Sequence, residues 1–202
     1  EKTDPGRSNV SKPLFREIPF GIKRLTRCIL FADIAGFSKI NEEHTPFFMY
    51  ELLKEISNCI KSLKKKPEVL NTWGDSIFFV YENPRDLVLF AFSLKNIITK
   101  TDWASRNLPP EINIRIALHA GPVFLGEDPI SGKLNAYGSH VNRAARIEPV
   151  TIQGCIYASE QFAALLAIEA PNEFVIDHVG IIELPKKFGE QEIYQIRERF
   201  PI

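Results

Sequence analysis

The chain has 202 residues, 45% of them hydrophobic and 25% charged, and its 25 Lys+Arg exactly offset its 25 Asp+Glu. That length supports one domain with a sizeable core, and the zero formal charge argues against a nucleic-acid partner held by bulk positive charge. Three cysteines without a CxxC spacing, Cys28, Cys59 and Cys155, argue against a disulfide framework or a zinc site and fit a reducing, cytoplasmic compartment.

Residues 1–19, rich in Pro, Gly, Ser and alternating charge, read as a loose leader, and 20–202 as one domain. The N-terminus holds no signal-peptide core, and no run reaches the roughly 18 apolar residues of a membrane helix, so no membrane partner is expected. Leu25 to Asp33 reads as a strand, and its apolar centre Cys28 to Ala32 suits burial on both faces. A helix is predicted from Thr45 to Lys64, with Met49, Leu52, Leu53, Ile56, Ile60 and Leu63 on its buried stripe. Glu68 to Trp73 and Ser76 to Tyr81 read as a hairpin turning at Gly74-Asp75. Asn83-Pro84 starts a second helix, as cap and first turn.

Asn113 to Phe124 alternates like a strand, and Glu127 to Lys133 is a turn-rich excursion. Ser139 caps a helix running to Ile147. Gly154 to Ala158 is a short strand, Ser159 to Ile168 a helix, and Phe174 to Leu184 and Glu192 to Ile196 a final strand pair. This order predicts an α+β domain with a ferredoxin-like split βαβ core and a C-terminal β hairpin.

Two carboxylates stand where strands end. Asp33 closes the first strand and Asp75 sits in the hairpin turn, each near a glycine. If those strands are neighbours, both acids reach one sheet edge, where hard oxygens hold Mg²⁺ or Mn²⁺. Either aspartate alone reads better as a turn or cap residue, and the pair is the more specific signal. Asn142 and Arg146, four residues apart, share one helix face and suit a ribose and a phosphate. Alone, Arg146 beside Glu148 reads as a surface pair. The histidines His44, His119, His140 and His178 show no ligand spacing and read as structural or surface residues.

Four segments in order resemble the catalytic domain of class III adenylate and guanylate cyclases. They are Phe31-Ala32-Asp33-Ile34-Ala35-Gly36-Phe37-Ser38, Trp73-Gly74-Asp75, the strand from Ile114 to Val123, and the helix from Tyr137 to Glu148. The resemblance spans Arg27 to Ile196 and makes 20–202 the catalytic domain. It implies two divalent metal ions, Mn²⁺ or Mg²⁺, on Asp33, Asp75 and the Ile34 carbonyl. It implies that Asn142 orients the ribose and that Arg146 stabilises the transition state as the 3′-hydroxyl displaces pyrophosphate. It also implies a lysine on the triphosphate, for which Lys186 or Lys187 stands in a turn that Pro185 alters from the family pattern. Because the metal half and the asparagine–arginine half of each site come from different protomers in the family, a symmetric homodimer with shared active sites follows.

The base-reading positions depart from both better-known classes. The residue three before Gly74 is Asn71 and the residue three before Gly138 is Asn135, where adenylate cyclases carry Lys and Asp. An asparagine amide both donates and accepts, so it suits a pyrimidine edge. That departure resembles the Pycsar-type pyrimidine cyclases of bacterial anti-phage defence. It implies UTP as substrate, cyclic UMP as product and a separate cyclic-nucleotide effector, with CTP second and ATP a further alternative. Tyr50 is a candidate to reach inward against the smaller base, its plain alternative being core packing. Asn71 and Asn135 have the plain alternative of turn residues. A non-catalytic nucleotide-binding domain is the remaining rival, disfavoured by the presence of all four residues Asp33, Asp75, Asn142 and Arg146.

Overall fold

The computed structural model describes Ile18, residues 21–37 and residues 40–199. Most of the predicted leader, and Ser38 of the first motif, lie outside these residues. An eight-stranded sheet runs in the order β2-β3-β1-β4-β6-β8-β7, with β5 paired to β4. Its strands are β1 (Lys23–Ala35), β2 (Val69–Trp73), β3 (Ser76–Tyr81), β4 (Asn113–Glu127), β5 (Leu134–Tyr137), β6 (Ile156–Ser159), β7 (Phe174–Leu184) and β8 (Gly189–Glu198). All pairings are antiparallel except β4 with β6. The run β2-β3-β1-β4 is the expected split βαβ core, and β7–β8 is the expected C-terminal hairpin.

The apolar centre of β1 serves two cores because successive side chains alternate across a sheet. Cys28, Leu30, Ala32 and Ile34 enter the larger core, shared with α2 (Leu53–Ser62), α3 (Pro84–Lys100) and α5 (Glu160–Glu169). Ile29 and Phe31 face the other way, toward Ala144 and Val141 of α4 (Ser139–Ile147). Full burial of a side chain such as Leu30 or Phe79 contributes about 2–3 kcal/mol relative to exposure. The predicted cap of α3 is present: the Asn83 Oδ1 accepts the Arg85 and Asp86 N–H groups at 2.8 and 3.2 Å.

The structure corrects the sequence reading in three places. The helix after the first motif is not uniform: α1 (Thr45–Phe47) leads through a π-helical turn (Phe48–Leu52) into α2. The wider π turn keeps Phe48 and Leu52 inside and rotates Met49 outward to 62% exposure, so Met49 leaves the predicted buried stripe. The strand predicted to end at Phe124 continues to Glu127 and pairs with β5, which the sequence reading omitted. Gly138, not Ser139, occupies the N-cap of α4. Among the described residues no helix is long and apolar enough to cross a membrane.

Candidate active site

Strand register brings the two aspartates together. Asp33 pairs with Ser76 on β3 and with Arg115 on β4, and Asp75 lies in the turn just before Ser76. The Ile34 N–H donates to the Asp75 carbonyl at 3.1 Å, which fixes the turn against β1. Asp33, Asp75 and Ile34 line one cleft of about 470 Å³ with Gly36, Glu111 and Arg115. Burial, and then the Asp33 carboxylate beside it, raise the Asp75 carboxyl above the ordinary range. Two acids forced together in a partly buried cleft are relieved by a cation, so the donor set fits divalent metal. Among the described residues no three His, Cys, Asp or Glu side chains group as metal ligands, so backbone and phosphate oxygens would complete the shell.

Arg115 is a site residue that the motif contains but whose role the sequence reading did not assign. Its Nη2 donates to Asp33 Oδ2 at 2.5 Å, and its Nε lies 2.9 Å from Glu148 Oε1. The second contact is a close charge pair without an aligned hydrogen bond, since both atoms are buried and lack a directed partner. Burial pushes the Glu148 carboxyl up to about 7, against the opposing pull of Arg115. The signal for Arg115 was available in the strand pattern: it alternates with Ile114 and Ile116, so it must face away from the larger core.

The second half of the site stands on α4. Asn142 is exposed, and its N–H donates to the Gly138 carbonyl at 3.3 Å. Arg146 places Cζ 5.7 Å from the centre of the Phe188 ring, and its Nε is buried without a partner. Phe188 ends the β7–β8 turn that also carries Lys186 and Lys187, both exposed and both at φ 59°. Neither Asn142 nor Arg146 lines the cleft of Asp33 and Asp75.

Asn71 and Asn135 meet, although 64 residues separate them: Asn71 Nδ2 donates to Asn135 Oδ1 at 3.3 Å. Tyr50 does not join them. It is 64% exposed, with Lys54 Nζ 4.5 Å from its ring centre, because the π turn that moves Met49 outward moves Tyr50 with it. The inward role expected for Tyr50 is absent from this chain's own packing.

Residues 24–198 match the adenylate and guanylate cyclase catalytic domain. The chain belongs to that family. Among curated relatives, this cyclase domain is 27% identical over 183 residues to Guanylate cyclase 32E of Drosophila melanogaster, covering 85% of the chain and 15% of that protein. It is 28% identical over 150 residues to the germination-specific adenylate cyclase of Dictyostelium discoideum, covering 66% of the chain and 17% of that protein. The chain thus spans less than a fifth of the length of either relative. Among solved structures, the adenylyl cyclase CyaB from P. aeruginosa superposes with a TM-score of 0.77 at 17% identity, covering 89% of this chain and 97% of that one. The guanylate cyclase domain of RhGC from Catenaria anguillulae, in complex with GTP, gives 0.70 at 23%, covering 88% and 100%. These likenesses establish the cyclase fold.

Two of the histidines meet between β4 and α4 of the cyclase domain. His119 on β4 is fully buried, with Nδ1 2.7 Å from Ser159 Oγ and Nε2 2.9 Å from His140 Nδ1. The rings stack with centres 5.1 Å apart, and a Cβ on Gly121 would lie 2.1 Å from His140 Nδ1, so only glycine leaves space for the pair. Burial first, then the charges of His140 and Arg143, lower the His119 pKa to about 3. The folded value lies below the unfolded one of roughly 6.5, so the unfolded chain binds the extra proton and stability falls with pH through this window. Denaturant unfolding of the domain between pH 6.5 and pH 4.5 is expected to lose stability from this residue, the slope approaching about 1.4 kcal/mol per pH unit below pH 5.5. His119→Gln should flatten that slope, and an unchanged slope would clear His119 of the effect.

Proposed function

We propose that this cyclase domain converts UTP to cyclic UMP and pyrophosphate, with CTP as second substrate, in a homodimer with shared active sites. The observation that carries the base assignment is the Asn71–Asn135 hydrogen bond at 3.3 Å. Two carboxamides side by side, neither charged, offer a neutral donor–acceptor face in place of a lysine and an aspartate. Asn142 orients the ribose, and Arg146 meets the charge that grows on the α-phosphate as pyrophosphate departs. Lys186 and Lys187, exposed beside Phe188, hold the β- and γ-phosphates. Asp33, Asp75 and the Ile34 carbonyl would hold divalent metal, Mn²⁺ or Mg²⁺, which would supply activation of the 3′-hydroxyl and charge neutralisation of the triphosphate. The product is a diffusible signal for a separate cyclic-nucleotide effector, in keeping with an anti-phage role.

The test is incubation with all four ribonucleoside triphosphates and Mn²⁺, with products identified by mass spectrometry. Cyclic UMP should dominate, followed by cyclic CMP. ATP or GTP outcompeting both would replace this reading with a purine cyclase, the second reading, which is favoured by relatives named as adenylate and guanylate cyclases.

A further inference from the structure

The amide pair is linked through Tyr137 to the Asp128 carboxylate in the β4–β5 loop. Asp128 Oδ1 accepts the N–H groups of Ile130 and Ser131 at 2.8 and 3.0 Å, and Oδ2 accepts the Tyr137 hydroxyl at 2.7 Å. A phenol has one proton to give. With that proton committed to Asp128, the Tyr137 oxygen can only accept, and it faces the Asn135 Nδ2 at 3.4 Å. This sets the orientation of the Asn135 amide. Its Oδ1 then accepts the Ala136 N–H at 2.9 Å and the Asn71 Nδ2 at 3.3 Å, which uses both lone pairs. Asn135 is left as a donor, and Asn71 Oδ1 remains as the acceptor of the pair.

We propose that Asp128 and Tyr137 are specificity-determining positioning residues that lock the polarity of the Asn71–Asn135 pair and so decide which base edge it accepts. The proposal rests on the reading of Asn71 and Asn135 as the base-reading pair. Uracil presents N3–H beside the O4 acceptor, whereas cytosine presents the N3 acceptor beside an amino donor, the reverse order. Guanine and adenine differ in the same sense at N1 and the 6-position. A pair of fixed polarity distinguishes the two orders, while an amide free to turn over accepts both. In the lock, charge on Asp128 holds the phenol proton, the phenol oxygen holds Asn135, and Asn135 holds Asn71.

The experiment is calorimetric binding of the α,β-methylene analogues of UTP, CTP, ATP and GTP, with Mn²⁺, to the full chain and to Tyr137→Phe and Asp128→Asn. Tyr137→Phe removes the acceptor and should compress the parent's UTP-to-CTP affinity ratio, and likewise its GTP-to-ATP ratio, about tenfold. Asp128→Asn presents an amide donor to the phenol oxygen, frees its proton to turn toward Asn135, and should shift the ratios at least as far. Ratios within twofold of the parent in both variants overturn the lock. If Tyr137→Phe fails to fold by thermal melting, Asp128→Asn decides alone. A parent that prefers ATP or GTP overturns the uracil assignment but not the lock, whose ratios are still read; a parent without any base preference overturns the lock.

Discussion

Arg146→Ala is expected to lower the cyclisation rate by roughly 10³-fold or more, with little change in KM, as steady-state kinetics would show. The guanidinium rests against Phe188 at 5.7 Å, and its Nε is buried without a partner. A donor held without a ground-state acceptor is ready for charge that appears only during reaction, and such preorganised groups act mainly on kcat. Arg146→Lys should not restore the rate, since an ammonium lacks the planar fork that meets two phosphoryl oxygens. Asp33→Ala and Asp75→Ala should likewise abolish turnover while the circular dichroism spectrum is retained. Full activity in any one of these variants would remove that residue from the mechanism.

Mixing two inactive proteins is the second large effect. If the cleft of one protomer faces Arg146 of its partner, a dimer of Asp33→Ala with Arg146→Ala holds one site built entirely from intact residues and one site lacking both. Random exchange then restores activity to about a quarter of the parent level, because about half the dimers are mixed and each has one working site. The motive is the lining of the cleft: its walls include neither Asn142 nor Arg146. Mixtures that stay inactive after verified subunit exchange would sink the shared site, as would turnover by a strictly monomeric species.

What was legible in the sequence followed from local physics. Asp33 and Asp75 could be picked out because apolar strands end at both, and the register Asp33 with Ser76 then made them neighbours. Asn83 could be read as a cap because Pro84 follows it and its side chain serves free N–H groups. The four residues of β5 carry no alternation of their own, and they are a strand only because β4 runs on to meet them. Met49 was misplaced because a stripe drawn at the α-helical angle fails across a π turn. The His119–His140 contact spans 21 residues and joins a strand to a helix, so no spacing rule reveals it. Arg115 was visible as the polar member of an alternating strand, but its partner Glu148 comes from the turn after α4 and needed the fold.

That Arg115 bridge has a consequence for communication. In a homodimer with shared sites, the Asp33 end of one chain and its α4 end serve different clefts, and a single planar group touches both ends. An Asp33 engaged by a cation would leave Arg115 to Glu148, the residue that closes α4. Were two clefts shared across a dimer, a link between them inside one chain would be one side chain wide.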